Sequence, residues 1–349
     1  MIGDLYPANK RSKALSIFML GLPVGIALSY AISGSVAHAY GWRAAFYVAG
    51  VPGLICTLAV FLIREPRRGT TEIHDIGASK REGSPYKLVL SIPTMWWIIA
   101  SGALQTFNMY AFGQFLTPYL MRYHGQDIRT AGFTTMLVFG LSGIPGLLLG
   151  GVIGDAVMKR WTNGRLLIAT LSLLVSVPLI FLGLGTPAGE ALRFVLLMGT
   201  AVALMNVYYS TVYPAIQDVI EPGLRGTAMS IYFFAMYVLG AALGPLGTGL
   251  ASDFFTRRAA VLSGVSDITQ QTLEPFRAQG LHSAMYIIPA LGLLLALVLF
   301  AGSRTVTRDM ERLHSWMRQS ASGESSIPEA ASHDVENAQP REAKVETVL

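Results

Sequence analysis

Residues 4–17, DLYPANKRSKALSI, recur in altered form at residues 218–231, DVIEPGLRGTAMSI. At a constant offset of 214 positions, an Asp, an Arg, an Ala, a Ser and an Ile of the first stretch fall on the same residue types in the second. Arg43 falls on Arg257 at the same offset. Each stretch leads into a long apolar run, and such repeats are typical of membrane proteins built from two similar helix bundles. The alternative is a chance match between two apolar helix starts.

The two copies differ in what precedes them. Four apolar runs, between residues 95 and 215, precede the second copy, whereas three residues precede Asp4. If the two halves are alike, about four helices, or roughly 130 residues, are missing upstream of the first copy. The repeat therefore predicts eight transmembrane helices out of an expected twelve.

The composition places these helices in lipid. Of the 349 residues, 52% are apolar and 13% are charged, and the mean hydropathy is +0.48. Because a spanning helix needs about 20 apolar residues, we predict an all-α membrane protein whose partner is the lipid bilayer. Eight runs are long enough to span, near residues 14–37, 43–63, 95–120, 131–156, 166–186, 193–215, 228–251 and 284–302.

Lysine and arginine residues collect in every second connection between the apolar runs. With residue 1 placed inside, 19 of the 26 fall on the inner side, and positive charge prefers the cytoplasmic face of a membrane. Both termini are therefore predicted to be cytoplasmic, in a plasma membrane that we expect to be a bacterial inner membrane. This topology accounts for the pI of 9.3 without a nucleic-acid partner. One cysteine and six scattered histidines predict no disulfide, no metal site and no cofactor.

Further motifs carry a resemblance to a known family. They are GLPVG at 21–25, GWRAAF at 41–46, REPRRG at 64–69, GVIGD at 151–155, and GP at 244–245 followed by Asp253. Together with residues 4–16 they resemble the major facilitator superfamily, and most closely its spinster-like branch. The resemblance covers residues 1–303 and implies an MFS-type helical bundle. It also implies a secondary-active carrier that moves a small-molecule solute, amphiphilic or an organic anion, by alternating access.

The resemblance also divides the chain. Residues 1–69 correspond to the end of a first half, 70–87 to a cytoplasmic linker, 88–303 to a complete second half and 304–349 to a cytoplasmic tail. Within the tail, 304–318 is predicted to form an amphipathic surface helix, and the rest, rich in Ser, Glu and Ala, is predicted to be disordered. We expect the protein to be a monomer.

Polar side chains inside the apolar runs are the candidates for solute contact, because a polar group in lipid must face a partner helix or a wet cavity. Amides and hydroxyls at helical spacing share one face in the third and sixth runs, and two tyrosines stand in the first and seventh. No Asp, Glu, Lys, Arg or His lies deep inside a run, so proton coupling has no obvious carrier group here. The alternative role is structural bonding across helices. The predicted cavity residues are Gln105, Asn108, Asn206, Tyr209, Tyr30 and Tyr232.

A loop motif is predicted at the inner surface. Asp155 ends a run, and its carboxylate is expected to stabilise the positive N-terminus of the helix that begins near Ser12. By the resemblance, this contact closes the cytoplasmic side in one state and breaks in the other. The alternative is a solvated loop charge. Asp4 with Arg11, and Asp218 with Arg225, are predicted local ion pairs, and the full set is Gly151, Asp155, Arg160, Asp4, Arg11, Asp218 and Arg225.

Small residues recur every four positions in two runs, at Gly21 and Gly25 and at Gly240 and Gly244. Such spacing lets another helix backbone approach closely. Pro245 follows the second pair and removes one helix hydrogen bond. We predict tight helix packing at these five positions, with a kink or a fixed bend at the proline.

Two other functions stay open from the sequence. An eight-helix chain is also consistent with a non-transporting remnant of a carrier. From a different class, GLSG at 140–143 matches the GxSG element of intramembrane serine proteases, in which Ser142 needs a histidine base such as His282. We expect no enzyme, because Ser142 should lie within its helix and His282 at the outer end of the last run.

Overall fold

The computed structural model describes residues 14, 17, 18, 20–61, 83–265 and 267–324, and these ranges are helical without a strand. Two short turns, Gln270–Leu273 and Glu274–Phe276, lead into the ninth helix of this part. The all-α prediction is confirmed here. The helices are α1 Gly21–Tyr40, α2 Trp42–Val60, α3 Pro85–Leu90, α4 Pro93–Arg122, α5 Ile128–Met158, α6 Gly164–Leu184, α7 Ala191–Asp218, α8 Pro222–Leu262, α9 Arg277–Met285 and α10 Ile287–Glu324.

Six helical segments are long and apolar enough to cross a membrane, and they coincide with six of the eight predicted runs, with shifts at their ends. The runs predicted at 14–37 and 95–120 coincide with α1 and α4, which are 20 and 30 residues long. Helix α4 is less apolar than the six segments, because it carries buried polar side chains such as Gln105 and Asn108. The six segments are Arg43–Val60, Ile128–Met158, Gly164–Leu184, Ala191–Asp218, Pro222–Leu262 and Gln270–Arg318.

Residues after Gly83 form one bundle. Helix α7 packs against α5 and α6, helix α4 packs against α8 and α10, and α10 also packs against α6. The crossing of α5 with α7 is close, because Gly146 faces the carbonyl group of Ala203 and Gly150 faces Val207 and Ser210. A methyl group at either glycine would collide with α7, so the bare backbone sets the distance between the two helices.

The predicted packing glycines fall into two groups. Gly240 and Gly244 lie against α4, where an ideal Cβ on each would stand 2.6 Å from a backbone carbonyl oxygen. Gly21 and Gly25 lie on α1, and no atom of the described chain comes within 4 Å of a Cβ placed there. The tight contact predicted for Gly21 and Gly25 is therefore not made within this part of the protein. The close crossing of α5 with α7 at Gly146 and Gly150 was not predicted from the sequence.

Two π-helical turns interrupt α5 and α8 at matching places. They span Met136–Leu141 and Met236–Ala241, which are 100 positions apart, and Pro145 and Pro245 follow each turn at the same spacing. In each turn an amide bonds to the carbonyl group five residues back, at 3.2 Å in α5 and 3.1 Å in α8. Because proline cannot donate to the carbonyl group four residues before it, the last residue of each turn loses its usual partner, and the wider winding follows.

Helix α1 packs against α2 and against the π-helical turn of α5. The contact centres on Gly140, where an ideal Cβ would lie 2.9 Å from Ala27 Cα. Helix α2 has no buried residue in its apolar window Arg43–Val60, and Phe46, Leu54 and Leu58 are exposed. An apolar helix with that degree of exposure is suited to lipid or to further helices.

Helix α10 does not end near residue 302, where the apolar run was predicted to stop. It continues to Glu324, so residues 304–318 extend the last membrane helix instead of forming a separate surface helix. The reason is that one face stays apolar beyond the charged residues, with Val306, Met310 and Leu313 buried. Residues 325–349, predicted to be disordered, lie outside the described part of the chain. Residues 1–13 and 62–82 lie outside it as well.

Candidate functional site

Helix α4 carries two of the predicted amides deep in the bundle. Gln105 and Asn108 are fully buried and share one face of the helix. Gln105 donates from Nε2 to the Met205 carbonyl oxygen at 2.9 Å, which ties α4 to α7. Within the described ranges, Gln105 Oε1 and both amide atoms of Asn108 have no hydrogen-bond partner. An unpaired buried polar atom costs about 1–3 kcal/mol, so this face has hydrogen-bonding capacity left for a solute or water.

A chain of three hydroxyl groups joins α4, α7 and α8. Ser101 Oγ lies 2.8 Å from Tyr208 Oη, which lies 2.9 Å from Tyr232 Oη, and all three side chains are buried. The Tyr232 ring lies over Gly102, where a side chain would collide with it. The sequence identified Tyr232 but not Ser101 or Tyr208. The available signal was position, because Ser101 stands one helical turn before Gln105.

Aromatic rings continue from this hydroxyl chain towards the surface of the bundle. Tyr209 packs edge-on against Tyr208 and Tyr213, with ring centroids 5.4 Å and 5.7 Å apart. Tyr213 contacts Phe233, whose ring lies 6.4 Å from Tyr237. Tyr213 is buried, whereas Tyr237 is 55% exposed. The rings therefore form an uncharged aromatic path on α7 and α8 from the core to the surface.

One predicted cavity residue is not part of this arrangement, and the structure does not describe the side chain of another. Asn206 is buried and donates to the Val202 carbonyl group at 2.8 Å, so its amide is satisfied within α7. Tyr30 lies on α1, and its side chain is outside the described residues. Tyr209, Tyr232 and Gln105 lie where α4, α7 and α8 meet.

Arg165 joins two carboxylates at one end of the bundle. It stands in the first turn of α6, and its side chain is 7% exposed. Its Nη2 donates to Asp155 Oδ1 at 3.1 Å, and its Nη1 donates to Asp218. The end of α5, the start of α6 and the end of α7 are thereby held together. A guanidinium group is suited to this position because its fork of donors reaches two acceptors while it stays charged.

This ion cluster differs from the predicted loop motif in its central residue. Asp155 was expected to face the helix that begins near Ser12, and that region lies outside the described residues. Asp218 was expected to pair with Arg225, and that pair stays a prediction, whereas Arg165 is one partner that the structure describes. Arg165 was visible in sequence as a basic residue after Asp155. What the sequence did not reveal is that the first turn of α6 points it back at α5 and α7.

The other members of the loop motif are more dispersed. Gly151 is buried on α5, and Arg160 is exposed in the connection that follows it. Asp4 and Arg11 lie outside the described ranges.

At the far end of α6, two histidines and two tyrosines gather around one carbonyl group. The Leu184 carbonyl oxygen accepts from Tyr119 Oη at 3.2 Å and lies 3.0 Å from His282 Nε2, which therefore carries the proton in this contact. Tyr123 stacks on His282 with 4.2 Å between ring centroids. His124 Nε2 is buried and has no hydrogen-bond partner in the described part. Burial lowers the pKa of His124 below 6.5, and the nearby His282 lowers it further.

The two residues of the protease alternative are not brought together. Ser142 Oγ donates to the Val138 carbonyl group of its own helix, and His282 is engaged at Leu184. Across the ranges described, no group of three or more metal-binding side chains occurs. The arrangement suits binding and conformational change, through amides, hydroxyls, rings and one ion cluster.

The sequence profile of the Major Facilitator Superfamily matches residues 1–245. The chain belongs to the Major Facilitator Superfamily. The predicted family and the predicted MFS-type bundle are thereby confirmed, and the chain is a multi-pass membrane protein of that superfamily.

Several members of the superfamily are similar to this chain. Protein spinster homolog 1 of Mus musculus is 28% identical over 285 residues, covering 74% of this chain and 52% of the relative. Protein spinster of Drosophila melanogaster is 27% identical over 269 residues, covering 72% and 43%. An MFS-type efflux pump of Mycolicibacterium smegmatis is 26% identical over 251 residues, covering 71% and 57%. The chain thus spans about half the length of the curated relatives it matches.

A solved structure shares the fold. It is a bacterial homolog of the human lysosomal transporter spinster, in an inward-facing and unoccupied conformation. The TM-score is 0.66 at 22% sequence identity, over 88% of this chain and 74% of that one. The inward-facing and occupied conformation gives a TM-score of 0.61. The efflux pump and the solved homolog are described as transporter proteins, and the spinster proteins among the relatives agree with the spinster-like resemblance.

Proposed function

We propose that this chain acts in secondary-active transport, by alternating access, of an amphiphilic or organic-anion solute. The observation that carries the proposal is the meeting of α4, α7 and α8, where amides with unused hydrogen-bonding capacity adjoin an uncharged aromatic path. Such a path is suited to the apolar part of an amphiphile, and the amides to its polar part. Membership of the Major Facilitator Superfamily supports the mode of transport.

The ion cluster of Arg165 is proposed to be the moving contact. It joins the ends of three helices through side chains, so its ion pairs are able to separate without unfolding a helix. Separating a partly buried ion pair loses the attraction between its charges. Solvation of the separated charges offsets part of that loss, because burying the charges had cost desolvation free energy. We propose that the cluster closes the cytoplasmic side in one conformation and separates in the other.

Asn108 offers the sharpest test of the solute path. Its amide is fully buried and unpaired, so the substitution Asn108→Leu should leave the fold intact or raise the free energy of unfolding by about 1 kcal/mol. If the amide contacts solute, the same substitution should lower transport. The measurement is uptake of a labelled lysophospholipid and of a fluorescent organic anion into proteoliposomes, alongside thermal unfolding in detergent.

The control is Gln271→Ala, which removes an exposed amide in the turn before α9. It should change neither uptake nor stability. Uptake by Asn108→Leu equal to that of the unchanged chain would remove Asn108 from the path. No uptake by the unchanged chain above that of protein-free vesicles would contradict the carrier proposal and favour the non-transporting alternative.

We further propose that the protein is a monomer in a bacterial inner membrane with both termini in the cytoplasm. The orientation is supported by the distribution of lysine and arginine, which concentrate on one set of connections. Lys159 and Arg160 after α5 belong to the inner set, and Arg193 in the first turn of α7 belongs to the outer set.

A further inference from the structure

The start of α4 lacks a cap of its own. The residue before the helix is Ile92, which has no side chain able to accept a hydrogen bond, and the first helical residue is Pro93. The backbone amide of Thr94 is therefore one of the donors that a local side chain does not satisfy. In most helices Ser, Thr, Asp or Asn at that position accepts from such an amide.

The missing cap is supplied from the other end of the chain. Asp309 Oδ2 accepts from the Thr94 backbone N–H at 3.0 Å and from the Thr94 hydroxyl group at 2.6 Å. Thr305, one turn earlier on the same helix, places its Oγ1 2.7 Å from Thr94 Oγ1. Both Thr94 and Asp309 are buried. A residue 215 positions away along the chain thus does the work of an N-cap.

The charge of Asp309 is held mainly by α4. Arg312 lies on the same helix with its Nη1 4.0 Å from Asp309 Oδ1, but its side chain is 67% exposed. At that distance and exposure an ion pair contributes little. The positive end of the α4 dipole and the two Thr94 donors therefore provide most of the compensation for burying the carboxylate.

The segment that carries Asp309, residues 303–313, is docked by more than this one contact. We call it the tail segment. Ser303, Val306, Met310 and Leu313 are buried on one of its faces. Thr307 also bonds across to Thr162, in the connection between α5 and α6, at 3.1 Å. The segment that carries the carboxylate is thus packed on one face and bonded at a second point.

The docking leaves a gap towards the α7–α8 turn. The tail segment packs against the start of α4, whereas a cavity of about 140 Å³ separates it from the turn between α7 and α8. The cavity is lined by Asp309 and Leu313 on one side and by Val219, Glu221 and Leu224 on the other. The segment is therefore attached to α4 and to the α5–α6 connection, and it is spaced from the α7–α8 turn.

We propose that Asp309 is a positioning residue that fixes where α4 begins, and through it where Gln105 stands. Two turns separate Thr94 from Ser101, and a further turn leads to Gln105, so winding at the helix start sets the register of both polar side chains. The structural part of the proposal is independent of transport. Its effect on turnover rests on the proposed function.

The structural part is tested by hydrogen exchange on the full chain in detergent. Asp309→Ala should speed exchange of the amides in the first turns of α4 by about 5- to 30-fold, the factor that loss of a helix cap implies. Asp309→Asn keeps an acceptor for the Thr94 amide and should restore most of the protection. Glu311→Gln, on an exposed face of the same segment, is the matched control and should leave exchange unchanged. Exchange in Asp309→Ala equal to that of the control would overturn the proposal.

A second variant covers the case in which Asp309→Ala does not fold. Thr94→Val removes the hydroxyl donor, keeps the peptide N–H and should give a smaller increase in exchange confined to the start of α4. Exchange that rises instead along all helices would overturn the proposal, because it would mean general destabilisation.

Transport separates a positioning role from a merely structural one. In proteoliposomes, Asp309→Ala should raise KM, because the proposed function makes Gln105 a solute contact, and Asp309→Asn should restore it. A KM in Asp309→Ala equal to that of Glu311→Gln would overturn the positioning role. If the unchanged chain shows no uptake but the exchange results hold, the proposed function fails and the capping of α4 by Asp309 stands.

Discussion

Arg165 is the residue whose loss is expected to be most damaging, because its buried guanidinium group bonds both Asp155 and Asp218. Arg165→Gln would remove the buried charge that both carboxylates contact. We expect the free energy of unfolding to fall towards the lower end of about 3–5 kcal/mol, since both carboxylates keep some exposure. Thermal unfolding in detergent measures the change.

A second arginine provides the control for that substitution. Arg193 pairs with Glu190 at 3.0 Å, but the two side chains are 59% and 48% exposed. Arg193→Gln should therefore change stability by less than about 0.5 kcal/mol. Equal decreases in the free energy of unfolding of the two variants would mean that burial of Arg165 does not strengthen its ion pairs.

His124 gives the protein a pH dependence of defined sign. Its pKa lies below 6.5 in the folded protein, because of burial and then because of His282, so the unfolded chain binds a proton more readily than the folded one. Stability should therefore be retained above about pH 6.5 and decrease as the pH falls below it. The rings of Tyr119, Tyr123 and Phe194 contact His124, and the titratable group of His282 lies nearby.

The measurement is the unfolding midpoint at about pH 7.5 and about pH 5.5. The midpoint should drop on acidification in the unchanged chain and drop less in His124→Asn. His314→Asn, at an exposed position on α10, should reproduce the full drop. An identical drop in all three proteins would assign the pH dependence to other groups.

At the scale of the element, the crossing of α4 with α8 depends on a bare backbone. Gly240→Ala would place a methyl group 2.6 Å from the Ala103 carbonyl oxygen and 2.7 Å from Thr106 Cβ. The helices would have to move apart, which should cost about 1–3 kcal/mol in thermal unfolding. Gly226→Ala, also on α8 but with no atom within 4 Å, should be neutral or stabilising by up to about 1 kcal/mol. A stable Gly240→Ala would show that this crossing is loose.

The membrane helices were largely predictable because apolar runs report burial in lipid directly. The run at 193–215 became Ala191–Asp218, and the run at 166–186 became Gly164–Leu184. The extension of α10 was missed because its charged residues alternate with buried apolar ones. A hydropathy average over the whole stretch does not show the apolar face. The π-helical turns were missed because winding depends on backbone bonds around Pro145 and Pro245, which side-chain patterns do not report.

The candidate site was less predictable than the fold. Gln105 and Tyr232 were found because polar groups inside apolar runs are conspicuous. Arg165 and Asp309 were not, because each acts on helices that are distant in sequence, and only the packed bundle brings them together.

At the scale of the whole molecule, the orientation in the membrane is open to a direct measurement. Cys56 is the one cysteine, so Cys56→Ala gives a background free of thiols. On that background a cysteine at exposed Arg193 should react with an impermeant maleimide added to intact cells. A cysteine at exposed Lys159 should react only after the membrane is opened. The reverse pattern would place the termini on the outer side.

The π-helical turn in α5 has a consequence for every position that follows it. One extra residue in a helix turns all later side chains by about 100° around its axis. Asp155 lies 14 residues beyond Leu141, so the π-helical turn determines the direction in which its carboxylate leaves the helix. Deletion of one residue in that turn would move the Asp155 carboxylate to another side of α5. Arg165 would then lose its contact with Asp155, although neither residue had been substituted.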